Sequence, residues 1–296
     1  MRICLRVIAV VATISMGGLL TSCTPPDSYV ALGDSYTSGP GIQPQDTAIP
    51  GCLRSQVNYP HLIAPDLHQP AFRDVSCSGA QTKDMTTSQD VNPDPDPAPQ
   101  FDALDGNTKI VTLGIGGNDI GFVDIAKTCV QLATQYPLAT APCRDYYTAN
   151  GIITDRINAL IPRLDAVLSG IASRSPQAKV FVVGYPDILP EKKAEYVQCR
   201  PVLPVATGDI PFLRDEVEKL LNSTIQARAS AHGAVYVDTY TPSIGHDACQ
   251  IPTTLRWVEP VAPAADAAPV HPNRSGMEAT GTAVRAAMRA NGIAVG

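Results

Sequence analysis

The chain has 296 residues, of which 44% are hydrophobic and 17% charged, and it carries a formal net charge of -6. That composition is globular and excludes wholesale disorder, and the length allows one large core or two small ones. The acidic balance, with no basic run anywhere, argues against nucleic acid as a partner, and no internal repeat is present.

The first residues, MRICLRVIAVVATISMGGLLTSC, place arginines at 2 and 6 ahead of an uncharged, mostly apolar stretch from Val7 to Leu20. Short, Arg-flanked and ending in small residues, this segment reads as a secretory leader and not as a retained membrane span. Leu20-Thr21-Ser22-Cys23 resembles the lipobox of bacterial lipoproteins. By that resemblance residues 1–22 are removed and Cys23 receives lipid on its sulfur and new amino terminus; the alternative is a plain leader cut a few residues later. Each buried acyl methylene would contribute about 0.8 kcal/mol of anchoring. The protein is then expected on the outer face of the cytoplasmic membrane, or secreted. No second hydrophobic stretch long enough to span follows.

Short β-branched or apolar runs alternate with helical stretches after the leader, the rhythm of a mostly parallel sheet covered by helices on both faces. Strands are expected at 29–32, 72–75, 110–113, 180–183 and 235–237. Between the third and fourth, Ile152, Ile153, Ile157, Leu160, Ile161, Leu164, Val167, Leu168 and Ile171 recur at three- and four-residue steps, one apolar stripe of a long helix with a kink expected at Pro162. A second helix is expected after Pro211, through Leu213, Val217, Leu220, Leu221 and Ile225 to His232-Gly233. A last one follows Pro272 through Met277, Ala279, Val284 and Met288 to Gly292, and Ser275 and Glu278 have the spacing of a capping box at its start. The proline-rich stretches 92–100 and 259–269 are read as loops, because strand and helix signals continue on both sides; one domain over 23–296 is the economical count.

Of the eight cysteines, Cys4 leaves with the leader and Cys23 is the lipidation candidate, so Cys52, Cys77, Cys129, Cys143, Cys199 and Cys249 remain. An even number in an exported chain implies disulfides, although six cysteines allow 15 connectivities. Pairing in order is expected, since each pair would then close one loop between elements. Zinc is disfavoured, because no CxxC occurs and the five histidines are scattered, and no cofactor is expected.

In an open parallel sheet, ligands gather at the carboxyl ends of the strands. After the first run comes Gly33-Asp34-Ser35, after the second Ser76-Cys77-Ser78-Gly79-Ala80, and after the third Gly114-Ile115-Gly116-Gly117-Asn118-Asp119; His271-Pro272-Asn273 stands at the mouth of the last helix. Acyl transfer needs such parts: a hydroxyl to attack, an imidazole to take its proton, and donors aimed at the oxygen that becomes negative. The segments GDSYTSG, SGA, GIGGND and HPNRSG, in that order, resemble the sequence blocks of the SGNH hydrolases, the GDSL-type esterases and lipases, over residues 29 to about 290. The resemblance implies a three-layer α/β/α, flavodoxin-like fold with about five strands. It implies Ser35 as nucleophile, His271 as general base, and an oxyanion hole from the N–H groups of Ser35 and Gly79 with the Asn118 side chain. Six cysteines beside GDSY look most like the secreted, disulfide-bonded bacterial lipases of that family.

One position departs from the pattern. Many members carry an aspartate three residues before the histidine; here that residue is Ala268. A main-chain carbonyl of Ala268 or Pro269 is favoured as the histidine's orienter, with Asp266 as the alternative. His246 is the best rival base, while His61, His68 and His232 need no role. Asp34 is read as a loop organiser, Asp119 and Asn58 as structural, Tyr36 as pocket or core, and Trp257 as a pocket wall or loop anchor. The expected function is an exported, membrane-anchored, monomeric serine ester hydrolase acting on a lipid, acylated small molecule or acylated glycan, with a weak preference for short to medium acyl chains. An envelope acyltransferase using the same site and a non-catalytic envelope-binding lipoprotein are the competing readings. Specificity is expected in loops 40–57, 84–100 and 186–210.

Overall fold

The computed structural model describes residues 27–296; the expected leader and lipidation site, residues 1–22 and Cys23, lie outside the described residues. Five strands, β1 (Ser28–Gly33), β2 (Ala71–Asp74), β3 (Thr108–Gly114), β4 (Lys179–Val183) and β5 (Val235–Val237), form one sheet in the order β2-β1-β3-β4-β5. Every neighbouring pair is parallel. Each expected strand is present with bounds shifted by two residues at most.

The strand sequences read as continuous apolar runs because both faces are buried. Val30, Leu32, Val111, Leu113 and Val182 point to one side, where they meet Leu160, Leu164 and Leu168 of the helix Ile152–Arg174 and Leu221 and Ile225 of the helix Lys219–Ala231. Tyr29, Ala31, Ile110, Phe181, Val183 and Val237 point to the other, against Tyr59, Ile63, Met277, Val284 and Met288. The period of two along each strand thus sorts side chains into two cores, giving a three-layer α/β/α fold.

The helix Ile152–Arg174 continues through Pro162. The second expected helix divides: Phe212–Glu218 has π geometry and Lys219–Ala231 is α-helical, a change that apolar periodicity does not register. The helices Phe122–Gln135 and Pro142–Ala149 pack against each other, and the second also against Ile152–Arg174; neither is among the expected elements. The last helix, Arg274–Ala290, corrects one expectation. Its cap is Asn273, whose Oδ1 accepts the Gly276 N–H at 3.1 Å, so Ser275 already lies inside the first turn and no Ser275–Glu278 capping box forms.

The disulfides are Cys52–Cys77, Cys129–Cys143 and Cys199–Cys249, the in-order pairing. Among the described residues no helix is long and apolar enough to cross a membrane, and no three His, Cys, Asp or Glu side chains are grouped to hold a metal ion. Strand order reverses between β1 and β3, so the carboxyl ends of these two neighbours form the switch point.

Candidate active site

At the end of β1 the chain must turn sharply without filling the space beside β3. Gly33 has φ +151, and a Cβ there would meet the Thr37 hydroxyl and lie 2.7 Å from the Gly114 carbonyl oxygen. The Gln100 amide holds this peptide from both sides, accepting the Gly33 N–H at 2.8 Å and donating to the Gly33 carbonyl at 2.9 Å. Asp34 then caps the single helical turn Ser35–Ser38. Its Oδ1 accepts the Tyr36 N–H at 2.9 Å and its Oδ2 accepts the Tyr185 hydroxyl at 2.6 Å. Burial pushes the Asp34 carboxyl up to about 7, against these hydrogen bonds, which favour its ionised form.

The turn puts Ser35 Oγ 2.8 Å from His271 Nε2, across 236 residues of sequence. His271 Nδ1 lies 2.8 Å from the Pro269 carbonyl oxygen. A carbonyl only accepts, so Nδ1 carries the proton and Nε2 is left to accept from the serine hydroxyl. Burial holds the imidazole below its ordinary 6.5, with the Pro269 bond acting in the opposite direction. Ala268 instead accepts the His271 backbone N–H at 3.2 Å. The Asp266 carboxylate is used elsewhere: it accepts the Arg274 N–H at 2.9 Å at the start of the last helix.

The histidine loop is carried by the segment before it. Glu259 N–H donates to the His271 carbonyl at 2.9 Å, Asn273 N–H donates to the Trp257 carbonyl at 2.9 Å, and Val258 bridges Pro272 in antiparallel fashion. Val270 adopts φ +63, a left-handed conformation that costs energy for a β-branched residue. Tyr36 holds it there by donating its hydroxyl to the Val270 carbonyl at 2.6 Å, while its ring lies 5.2 Å from the His271 ring. Trp257 anchors this loop and is not part of the cavity wall. His246 stacks flat on it at 3.8 Å and donates Nδ1–H to the Leu255 carbonyl at 2.6 Å, which occupies the rival base.

The second and third motifs converge on the same place. The Cys52–Cys77 bridge and a 3.0 Å bond from the Cys77 N–H to the Gly33 carbonyl bring 76–80 beside the serine turn. Asn118 Nδ2 donates to the Ala80 carbonyl at 2.9 Å, which joins this loop to the one after β3 and leaves a second amide proton on the same nitrogen. The N–H groups of Ser35 and Gly79 have no hydrogen-bond partner among the described residues. Gly79 has φ +84, a conformation that suits glycine. Asp119 and Asn58 are structural: Asp119 accepts the Thr82 N–H at 3.0 Å, and Asn58 caps Tyr59–Ile63 and donates to Asp74 at 2.7 Å.

Ser35, Asn118 and His271 open onto a cavity of about 420 Å³. Phe122, Val123, Val130, Ile188, Leu203, Leu221 and Val261 line it. Tyr185 and Glu218 also line it and stand outside the sequence motifs. Glu218 is buried, accepts the Ile188 N–H at 3.1 Å and has its carboxyl pushed well up by burial. Apolar walls with a few convergent polar groups at one end are the usual build of a site for a small apolar ligand.

Comparisons with known proteins identify the family. The model of the GDSL-like Lipase/Acylhydrolase family matches residues 31–279. Lipase 2 of Streptomyces coelicolor is 39% identical over 284 residues, covering 93% of this chain and 92% of its own. Among solved structures, a phospholipase A1 from Streptomyces albidoflavus superposes with TM-score 0.69 at 29% identity, covering 88% of this chain and 99% of its own. The extracellular lipase from Streptomyces rimosus gives TM-score 0.68 at 28% identity, with the same coverage of 88% and 99%. The chain belongs to the GDSL-like lipase/acylhydrolase family and is a carboxylic ester hydrolase.

Proposed function

We propose that the protein is an exported serine esterase or lipase that works through an acyl-enzyme. The observation that carries this reading is the 2.8 Å approach of His271 Nε2 to Ser35 Oγ at the mouth of an apolar cavity. Ser35 Oγ attacks the ester carbonyl carbon as its proton passes to His271 Nε2, and the carbonyl oxygen becomes an oxyanion facing the Ser35 N–H, the Gly79 N–H and the Asn118 amide. Collapse of the tetrahedral intermediate breaks the bond to the alcohol, which leaves with the proton from Nε2. Water then repeats the sequence on the Ser35 ester and releases the acid. The Pro269 carbonyl fixes the tautomer without contributing a charge.

The acyl chain would occupy the apolar cavity and the alcohol would face solvent, a division that suits short to medium acyl esters. The lipase and phospholipase A1 names of the relatives support lipid esters as the substrate class. The disulfides and the extracellular relative support export. In this reading Cys23 is the lipid anchor, by its place in Leu20-Thr21-Ser22-Cys23, and the chain acts as a monomer.

Hydrolysis of p-nitrophenyl esters from acetyl to palmitoyl, by wild type, Ser35→Ala and His271→Ala, tests the mechanism. Each variant should lose about a thousandfold or more in kcat. Activity retained by either variant, or failure of a serine-directed phosphonate to label Ser35, overturns it. Fatty-acid labelling that persists in Cys23→Ala overturns the anchor.

A further inference from the structure

Tyr185 belongs to none of the four motifs, yet it touches three parts of the site. It follows β4 directly after Gly184, is 4% exposed, and has its backbone clamped by one side chain: Asn222 Oδ1 accepts the Tyr185 N–H at 2.8 Å and Asn222 Nδ2 donates to the Tyr185 carbonyl at 2.9 Å. Its hydroxyl donates to Asp34 Oδ2 at 2.6 Å and accepts the Gly117 N–H at 2.8 Å. Asp34 immediately precedes Ser35, and Gly117 immediately precedes Asn118. The ring meets Tyr36 edge-on at 5.0 Å, and Tyr36 in turn holds the Val270 carbonyl beside His271. A Cβ on Gly117 would lie 3.1 Å from the Tyr185 hydroxyl oxygen, so the glycine is what allows this approach.

We propose that Tyr185 is a positioning residue that locks the nucleophile turn to the oxyanion loop, its hydroxyl fixing Asp34 against Gly117 so that the Ser35 N–H and the Asn118 amide converge on one point. This rests on the acyl-enzyme reading above. The two donors come from the ends of separate strands, and an oxyanion hole works only when both lie about 2.7 to 3.1 Å from the place the oxygen will occupy. A hydroxyl that spends its single proton on one loop and a lone pair on the other sets that spacing. Burial and the neighbouring Asp34 carboxylate hold the phenol well above its ordinary range, so the bridge keeps its proton throughout the working pH.

Tyr185→Phe removes the bridge and keeps the ring. Its kcat on p-nitrophenyl butyrate should fall about ten- to a hundredfold, less than deleting a whole donor, with KM within about twofold of wild type. Affinity for an alkyl boronic acid, which forms a tetrahedral adduct on Ser35, should fall by the same factor as kcat. General structural damage would instead move KM or the boronate and substrate affinities together. Asp34→Asn, which retains an acceptor for the Tyr36 N–H but not for the Tyr185 hydroxyl, should match it, and the double variant should be no worse than the weaker single one. If Tyr185→Phe fails to fold, Asp34→Asn alone reads the same bridge. A Tyr185→Phe enzyme with kcat within about threefold of wild type, or fully additive losses in the double variant, overturns the assignment. The two readings fail separately: an active Ser35→Ala sinks the acyl-enzyme, whereas an inactive Ser35→Ala beside a wild-type-like Tyr185→Phe sinks only the role of Tyr185.

Discussion

Asp34 holds the nucleophile turn and is itself held at a cost in stability that depends on pH. An ordinary aspartate loses its proton near 3.8, but burial keeps this one protonated up to about 7 in the folded chain. Between those values the folded state binds the proton more tightly than the unfolded state, so the contribution of this group to stability is greatest in acid and falls as pH rises, the loss being complete above about 7. About three units at 1.36 kcal/mol each gives a loss of about 4 kcal/mol. Asp34→Asn cannot ionise, so it should not show this loss. Urea unfolding with disulfides intact, at about pH 5 and about pH 8.5, samples the part of this loss that falls between about pH 5 and about 7, so wild type should decline by about 2.7 kcal/mol more than the variant. The other buried acids whose carboxyls are pushed up, Asp187 and Glu218 among them, decline equally in both proteins and cancel in the difference. Parallel pH dependence in the two proteins would mean that Asp34 pays no desolvation penalty and that the account of its environment is wrong.

Three further outcomes follow from the same geometry. His271 acts as a base only when neutral, and burial holds its pKa below 6.5, so the acid limb of kcat/KM measured in the Asp34→Asn background should lie below 6.5; a limb above that value contradicts the buried, uncharged environment. Asp266→Ala should keep activity within about threefold, since the carboxylate caps a helix and does not touch the imidazole, and a loss beyond about a hundredfold would bring Asp266 into the mechanism. Replacing Cys129 and Cys143 together by serine opens a loop with sequence separation 14 and should cost about 3 kcal/mol in urea unfolding. Because Cys129 lies on the helix Phe122–Gln135, whose Phe122, Val123 and Val130 wall the cavity, KM for longer acyl esters should rise as well; unchanged KM would detach that helix from acyl binding.

The fold was legible because its strands are buried on both faces and therefore read as unbroken apolar runs, and because three of those runs end in glycine-rich turns carrying Ser35, Gly79 and Asn118. In-order disulfides were legible because each pair closes only the stretch of chain between nearby elements. What escaped were groups whose role exists only after the layers pack. Tyr185 stands at the carboxyl end of β4, where the rule that located Ser35 and Asn118 applies equally, but nothing in Val-Val-Gly-Tyr shows that Asn222, 37 residues later, will clamp it. The helix Phe122–Gln135 did leave a signal: Phe122, Ile125, Ala126, Cys129, Val130 and Leu132 fall at helical spacing. At the last helix, local spacing favoured Ser275 and Glu278, and Asn273 became the cap because its N–H and side chain are already fixed by the Trp257 and Arg256 carbonyls.

The neutral orienter is consistent with the rest of the site. A carboxylate beside Nδ1 would stabilise the imidazolium and raise the pKa of His271; a carbonyl selects the tautomer while leaving burial to keep the ring neutral. Presenting that carbonyl requires Val270 at φ +63, a strain of about 1 to 3 kcal/mol, and the chain opposes its release with the Tyr36 hydroxyl on one side and the 3.0 Å bond from the Val270 N–H to the Glu259 carbonyl on the other. Tyr36 is thus tied to the nucleophile by its backbone and to the base by its side chain, and it packs against Tyr185, which ties the nucleophile to the oxyanion loop. Two neighbouring phenols therefore fix the three catalytic loops relative to one another, leaving the geometry of the site dependent on hydrogen bonds whose donors remain protonated throughout the range in which the histidine titrates.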